Sequence, residues 1–135
     1  MPDPEPTISQ FKSKSGLRRV TSAIGYSIQG FRAAWHGEHA FRQELLLLVI
    51  AVVVALWLPV SPLQRLMLIG VFVLVLVVEL MNSAIEATVD RISLDRHPLA
   101  RNAKDFGSAA VLLTVVLALA TWAVIVWPVL FGNRA

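Results

Sequence analysis

Three long apolar stretches divide the chain, each set off by polar sequence. The first covers residues 45–63, opening LLLLVIAVVVALWL and closing on a turn marked by Pro59 and Pro62. The second starts at Leu66 with LMLIGVFVLVLVV, and the third runs through residues 106–133. A hydrocarbon core about 30 Å thick needs about 20 mostly apolar helical residues, so each stretch can span a bilayer with ordinary tilt or snorkelling ends. The predicted spans are residues 45–63, 66–89 and 106–131. Ahead of them, Leu17, Val20, Ile24, Ile28, Phe31 and Trp35 recur at steps of three and four, while Arg18, Arg19, Ser22, Gln29, Arg32 and His36 fall mainly elsewhere. That pattern predicts an amphipathic helix over residues 17–42 lying on the membrane surface, with Gly30 and Gly37 as candidate breaks. The expected fold is an all-α membrane protein: an N-terminal tail (1–16), then one membrane-embedded domain (17–135) of three transmembrane helices plus the surface helix. A cleaved secretory signal fits poorly, since the first apolar run begins only at Leu45 and two more follow it.

Composition sharpens this picture. The 135 residues are 56% hydrophobic and 16% charged, without cysteine, and mean hydropathy is +0.68. Soluble domains average about 45–50% apolar and about 25% charged, so lipid is the natural solvent. The apolar excess excludes disorder, and the missing thiols exclude a disulfide scaffold and cysteine-ligated metal sites. Of the 12 Lys and Arg, six precede Leu45, Arg65 alone occupies the first loop, four lie between Asp90 and Asp105, and Arg134 stands near the end. Positive residues concentrate on cytoplasmic segments, so this ten-to-two division places the N-terminus and the second loop in the cytoplasm and the C-terminus on the opposite side. The pI near 10.0 then reflects lipid headgroups. Basic and apolar residues interleave through Arg42 instead of forming one patch, so no nucleic-acid partner is expected.

Candidate chemistry lies at the end of the second span. Glu79, Asn82, Glu86 and Asp90 are spaced three, four and four, with Ser83 beside them. At about 100° per residue they share a narrow arc of one helix face. Carboxylates within a span cost several kcal/mol unless paired, protonated, metal-bound or open to water, so such a stripe is a functional hypothesis by default. A hydrogen-bonded helix seam is the structural alternative, but one or two Asn, Ser or Thr groups suffice for that. Three acids and an amide in line better suit metal and proton chemistry. Glu38 and Glu44 stand just before the first span, and Lys104 and Asp105 just before the third. Carboxylates for a hard divalent cation and a lysine for a phosphate suggest metal–nucleotide chemistry, since Mg2+ commonly binds through one or two carboxylates plus substrate phosphates. Gly25 and Gly30 have P-loop spacing, but Phe31 and Arg32 follow where Lys and Ser or Thr belong. His36 and His39 match no zinc pattern and read as solvated or headgroup-contacting. His97 sits in the basic loop LDRHPLARN, within reach of a nucleotide. Trp57, Trp122 and Trp127 read as interfacial or lipid-contact residues.

GYSIQGFRAAWHGEHAFRQE, VELMNSAIEATVDRIS and HPLARNAKDFGSAAV together resemble the prokaryotic diacylglycerol kinase family. The similarity extends from Leu17 to about Trp127, and its most specific part is E-x-x-N-S-A-I-E-x-x-x-D-R followed by A-K-D-x-G-S-A-A. It implies a small enzyme of the bacterial cytoplasmic (inner) membrane that uses ATP and Mg2+ to convert diacylglycerol to phosphatidic acid. It further implies a homotrimer with active sites between subunits. By this resemblance Glu79 takes the proton from the lipid hydroxyl, and Glu38 and Glu86 bind the metal of the metal–nucleotide complex. Arg19, Tyr26, Asp95, Arg96, His97, Lys104 and Asp105 would contact the nucleotide. Asn82 and Asp90 would support the stripe. Arg32, Trp35, Glu44 and Ser108, with Arg19 and Glu79, would line the lipid site. The loop over residues 93–102 departs in being basic and proline-bearing, and the first sixteen residues match nothing in the family. Two other readings stay open from sequence: an undecaprenol kinase of the same architecture, and a non-catalytic trimeric channel or assembly subunit whose acids bind or conduct cations.

Overall fold

The structure, a computed structural model, describes residues 16–92 and 97–132. Four α-helices follow one another: α1 (Gly16–Gly37), α2 (His39–Trp57), α3 (Pro62–Ile92) and α4 (Pro98–Phe131). No strand occurs among the described residues. The chain divides into two compact units, Met1–Ala33 and Ala34–Ala135.

The described part of the first unit is most of α1, which is amphipathic as its three- and four-residue steps require. Leu17, Val20, Ile24, Ile28 and Phe31 each expose half or more of their surface. Thr21 and Ser27 return their hydroxyls to carbonyls one turn back, Thr21 to Leu17 O at 3.3 Å and Ser27 to Ala23 O at 2.9 Å.

The second unit begins with the last turn of α1. The helix stops at Gly37, where glycine's low helix propensity favours an end, instead of continuing to residue 42. Glu38 has extended backbone (φ −111°, ψ 112°), and its N–H closes on Ala34 O at 2.9 Å. Residues 39–44 therefore open α2 and do not belong to the surface helix. Arg42 braces the joint: Nη1 donates to Trp35 O and Nη2 pairs with His39 Nδ1, both at 2.6 Å. A carbonyl left over at a helix end thus gains a charged donor.

Between α2 and α3, Ser61 N–H donates to Gln64 Oε1 (2.9 Å) and Gln64 N–H to Ser61 Oγ (3.2 Å). This reciprocal cap, with Pro62 at the first helical position, starts α3 four residues before the apolar run. Arg65 then reaches back to the end of α2, donating to Ala55 O at 2.9 Å and Leu58 O at 3.3 Å. Similarly α4 starts at Pro98, eight residues before the expected span, because His97 caps it by accepting Leu99 N–H at 3.2 Å.

Helices α2, α3 and α4 are each long and apolar enough to cross a membrane. α3 lies against both others through two small clusters. Ala34, Phe41 and Leu76 form one; Ala55, Leu68 and Ile125 form the other, with Trp122 against it. Most large apolar side chains elsewhere on the three helices are exposed, as expected of a surface whose solvent is lipid. Trp122 corrects the expectation of a lipid-contact residue. Its indole N–H donates to Leu68 O at 3.0 Å, and its ring meets Phe72 edge-on with centroids 5.8 Å apart. An indole N–H partly withdrawn into the helix contact needs an acceptor, and the neighbouring helix supplies one. Trp57 and Trp127 do remain exposed.

Candidate active site

The polar stripe of α3 grades from buried to open. Glu79 is 5% exposed and Asn82 9%, Glu86 is half-buried and Asp90 exposed. Helical periodicity keeps the four on one face while α2 and α4 cover the deeper end. A cavity of about 340 Å³ opens there, lined by Glu38, Ala40, Glu79, Asn82, Glu86, Ser108 and Val111. Glu38 immediately precedes α2, and its side chain makes no capping bond, which leaves its carboxylate for the cavity. Two helices' worth of sequence separation, 38 against 79–86, is thereby closed around one space.

Within it, Asn82 Nδ2 donates to Glu86 Oε1 at 3.1 Å. The other amide atom, Asn82 Oδ1, is buried without a partner among the described residues. Near the mouth, Lys104 Nζ donates to Asp90 Oδ1 at 2.6 Å, tying α4 to the open end of the stripe. Asp105 is exposed and within 3.6 Å of Arg101, one turn earlier on α4. Glu44 does not line the cavity; it is half-buried, and its Oε2 lacks a partner among the described residues. His97 serves α4 as its cap. Trp35 lies on the last turn of α1, and Arg19, Tyr26 and Arg32 lie on that helix within the first unit. Asp95 and Arg96, like the tail through Ser15, lie outside the described residues.

The donors fit a hard divalent ion. Among the described residues no group of three His, Cys, Asp or Glu converges to hold a metal unaided. Glu38 and Glu86 nevertheless face one cavity, and two carboxylates suit Mg2+, which takes its remaining ligands from water and substrate phosphates. The unpartnered Asn82 oxygen adds one more neutral acceptor beside them. A third carboxylate, Glu79, lies deeper, where it can serve as a proton acceptor. The arrangement can therefore hold a metal–phosphate group at its mouth and a hydroxyl at its inner end.

Sequence reasoning overlooked Gly107, the buried glycine of α4. A Cβ built there would overlap Asn82 Oδ1 and come within 3.2 Å of its Cγ. The sequence carried one signal, a glycine inside an otherwise continuous helix, in the A-K-D-F-G-S-A-A segment.

The model of the prokaryotic diacylglycerol kinase family matches residues 25–126, a range that includes α2, α3 and the cavity. The diacylglycerol kinase of Pseudomonas aeruginosa is 55% identical over 117 residues, covering 87% of this chain and 95% of that protein. The enzyme of Escherichia coli strain K12 is 50% identical over 113 residues, 84% and 93% of the two chains. That of Haemophilus influenzae is 36% identical over 108 residues, 80% and 92% respectively. With α2, α3, most of α4 and the acid-lined cavity falling inside the matched region, the chain belongs to the prokaryotic diacylglycerol kinase family.

Proposed function

We propose that the protein transfers the γ-phosphoryl group of ATP to the primary hydroxyl of diacylglycerol, giving phosphatidic acid and ADP, at the cytoplasmic face of the bacterial inner membrane. The observation that carries this reading is the enclosure of Glu79 in one cavity with Glu38 and Glu86. Glu79 lies 17 residues after the start of α3, about 26 Å along a helix rising 1.5 Å per residue. If α3 enters the core at its first turn, Glu79 stands near the opposite headgroup boundary, the level of a diacylglycerol hydroxyl. The names of the relatives favour this lipid over undecaprenol, and an enzyme over a channel.

Glu38 and Glu86 would hold a magnesium ion, whose chemistry when bound is neutralisation of charge on the ATP phosphates. Lys104, fixed against Asp90, adds a cation at the phosphate end. The family resemblance would add Arg19, Tyr26, Asp95, Arg96, His97 and Asp105 as nucleotide contacts and Arg32, Trp35, Glu44 and Ser108 beside the lipid. As the lipid oxygen bonds to the γ-phosphorus, the bond to the ADP oxygen breaks and Glu79 accepts the hydroxyl proton. Asn82 steadies Glu86 through its amide N–H. The working form is a homotrimer whose active sites lie between subunits, supported by the family resemblance.

The deciding experiment offers the purified protein ATP and Mg2+ with diacylglycerol, undecaprenol or no lipid. Phosphatidic acid formation with little ATP turnover in the absence of lipid is expected. Faster phosphorylation of undecaprenol, or none of either alcohol, would overturn the assignment.

A further inference from the structure

Gly107 is the lone glycine within α4, where glycine costs about 1 kcal/mol relative to alanine. At Gly16, Gly25, Gly30, Gly37 and Gly70 an added Cβ would meet nothing within 4 Å, and at Gly132 it would meet only the preceding turn of its own segment. At Gly107 the space is taken by a side chain of another helix, Asn82 of α3. Asn82 is not free to yield: it is 9% exposed and its Nδ2 is engaged with Glu86 Oε1 at 3.1 Å. Its Oδ1, aimed at the glycine, has no hydrogen-bond partner among the described residues, so the amide is held by this one bond and by the absence of a methyl group opposite.

We infer that Gly107 is a positioning residue for the metal–nucleotide site, acting through Asn82 on Glu86. This rests on the reading above that Glu86 is a metal ligand. A Cβ at Gly107 turns the amide of Asn82 or pushes α4 away from α3, and either movement breaks the Asn82–Glu86 bond. Groups that orient a metal ligand are typically worth about 10- to 100-fold in metal affinity.

The test is Mn2+ binding to the full-length protein with a non-hydrolysable ATP analogue, read from the loss of the free Mn2+ electron paramagnetic resonance signal, together with thermal stability. Gly107→Ala and Asn82→Ala should each weaken Mn2+ binding by about 10- to 100-fold. The double variant should bind no more weakly than Asn82→Ala and unfold no earlier, because the alanine then meets only the Cβ at position 82, an ordinary van der Waals contact at 3.7 Å. Wild-type Mn2+ affinity in folded Gly107→Ala would overturn the inference, as would a double variant clearly weaker than Asn82→Ala. If Gly107→Ala does not fold, the other two variants decide: a folded double variant matching Asn82→Ala supports the inference, and one that also fails to fold overturns it. Glu86→Ala separates the two layers of argument. Unchanged Mn2+ binding there overturns the ligand reading and the inference with it, whereas weakened binding beside a normal Gly107→Ala overturns the glycine's role alone.

Discussion

Glu79 is 5% exposed and shares its cavity with Glu38 and Glu86, a placement that helix packing alone does not require. A neutral amide would serve a polar seam equally well and would spare the fold a carboxylate within a span. Glu79→Gln keeps shape and hydrogen bonding but cannot accept a proton. General-base assistance is worth about 10²–10⁴-fold, so turnover should fall by about that factor while KM for ATP and thermal stability stay near wild type. Near-normal phosphorylation by this variant would assign Glu79 to the seam. Lys104 invites the opposite comparison between stability and catalysis. Its bond to Asp90 at 2.6 Å joins side chains 37% and 50% exposed, and ion pairs so open to solvent contribute little to folding. Lys104→Met should therefore leave the melting temperature almost unchanged while raising KM for ATP several-fold, measured by initial rates at varied ATP.

Helix ends show where sequence pattern and structure part company. Hydropathy locates the stretches that lipid will accept: those at 66–89 and 106–131 lie wholly on α3 and α4, whereas that at 45–63 overruns the end of α2 at Trp57 through the connection and into the first residues of α3. It does not locate helix termini, which are set by who satisfies the leftover backbone groups. The Ser61–Gln64 cap moves the start of α3 to Pro62, His97 moves that of α4 to Pro98, and the extended backbone of Glu38 hands residues 39–44 to α2. The acid stripe was legible because it needs only one helix's periodicity. The fit of Gly107 to Asn82 was not, because it depends on how closely α4 approaches α3. Trp122 was hidden for the same reason, its acceptor being 54 residues away. Hydrogen bonds between membrane helices average about 0.6 kcal/mol and reach about 1.7. Trp122→Phe keeps an aromatic ring against Phe72 and removes the N–H, so it should cost the protein about 0.6–1.7 kcal/mol in reversible unfolding from micelles, with turnover nearly unchanged. A loss well above that range would mean that indole packing, not the bond to Leu68, holds α4 in place.

At the scale of the whole molecule, orientation decides whether the cavity can meet its nucleotide. α3 has 31 residues, about 46 Å of helix, against a hydrocarbon core of about 30 Å. The surplus lies at the acidic end, since the stretch after Val78 carries Glu79, Asn82, Glu86 and Asp90 and becomes progressively more exposed toward Asp90. The proposed function requires that end to face the compartment that holds ATP. The cationic residues argue for the same arrangement independently: ten lie before Leu45 or between Asp90 and Asp105, and two, Arg65 and Arg134, lie in the first turn of α3 and near the end of the sequence. An excess of Lys and Arg retains a segment in the cytoplasm, and three crossings would put the two ends of the chain on opposite sides. A periplasm-active reporter fused after Ala135 should therefore be active, and a reporter that works only in the cytoplasm should be silent there, with the reverse at a fusion within the second loop. Adding Lys and Arg around Arg65 should erode the asymmetry and lower the fraction of correctly inserted, active enzyme. Were the Ala135 fusion found in the cytoplasm, the acid stripe of α3 would open away from ATP, and the assignment of Glu38, Glu79 and Glu86 to phosphoryl transfer would fail with the topology.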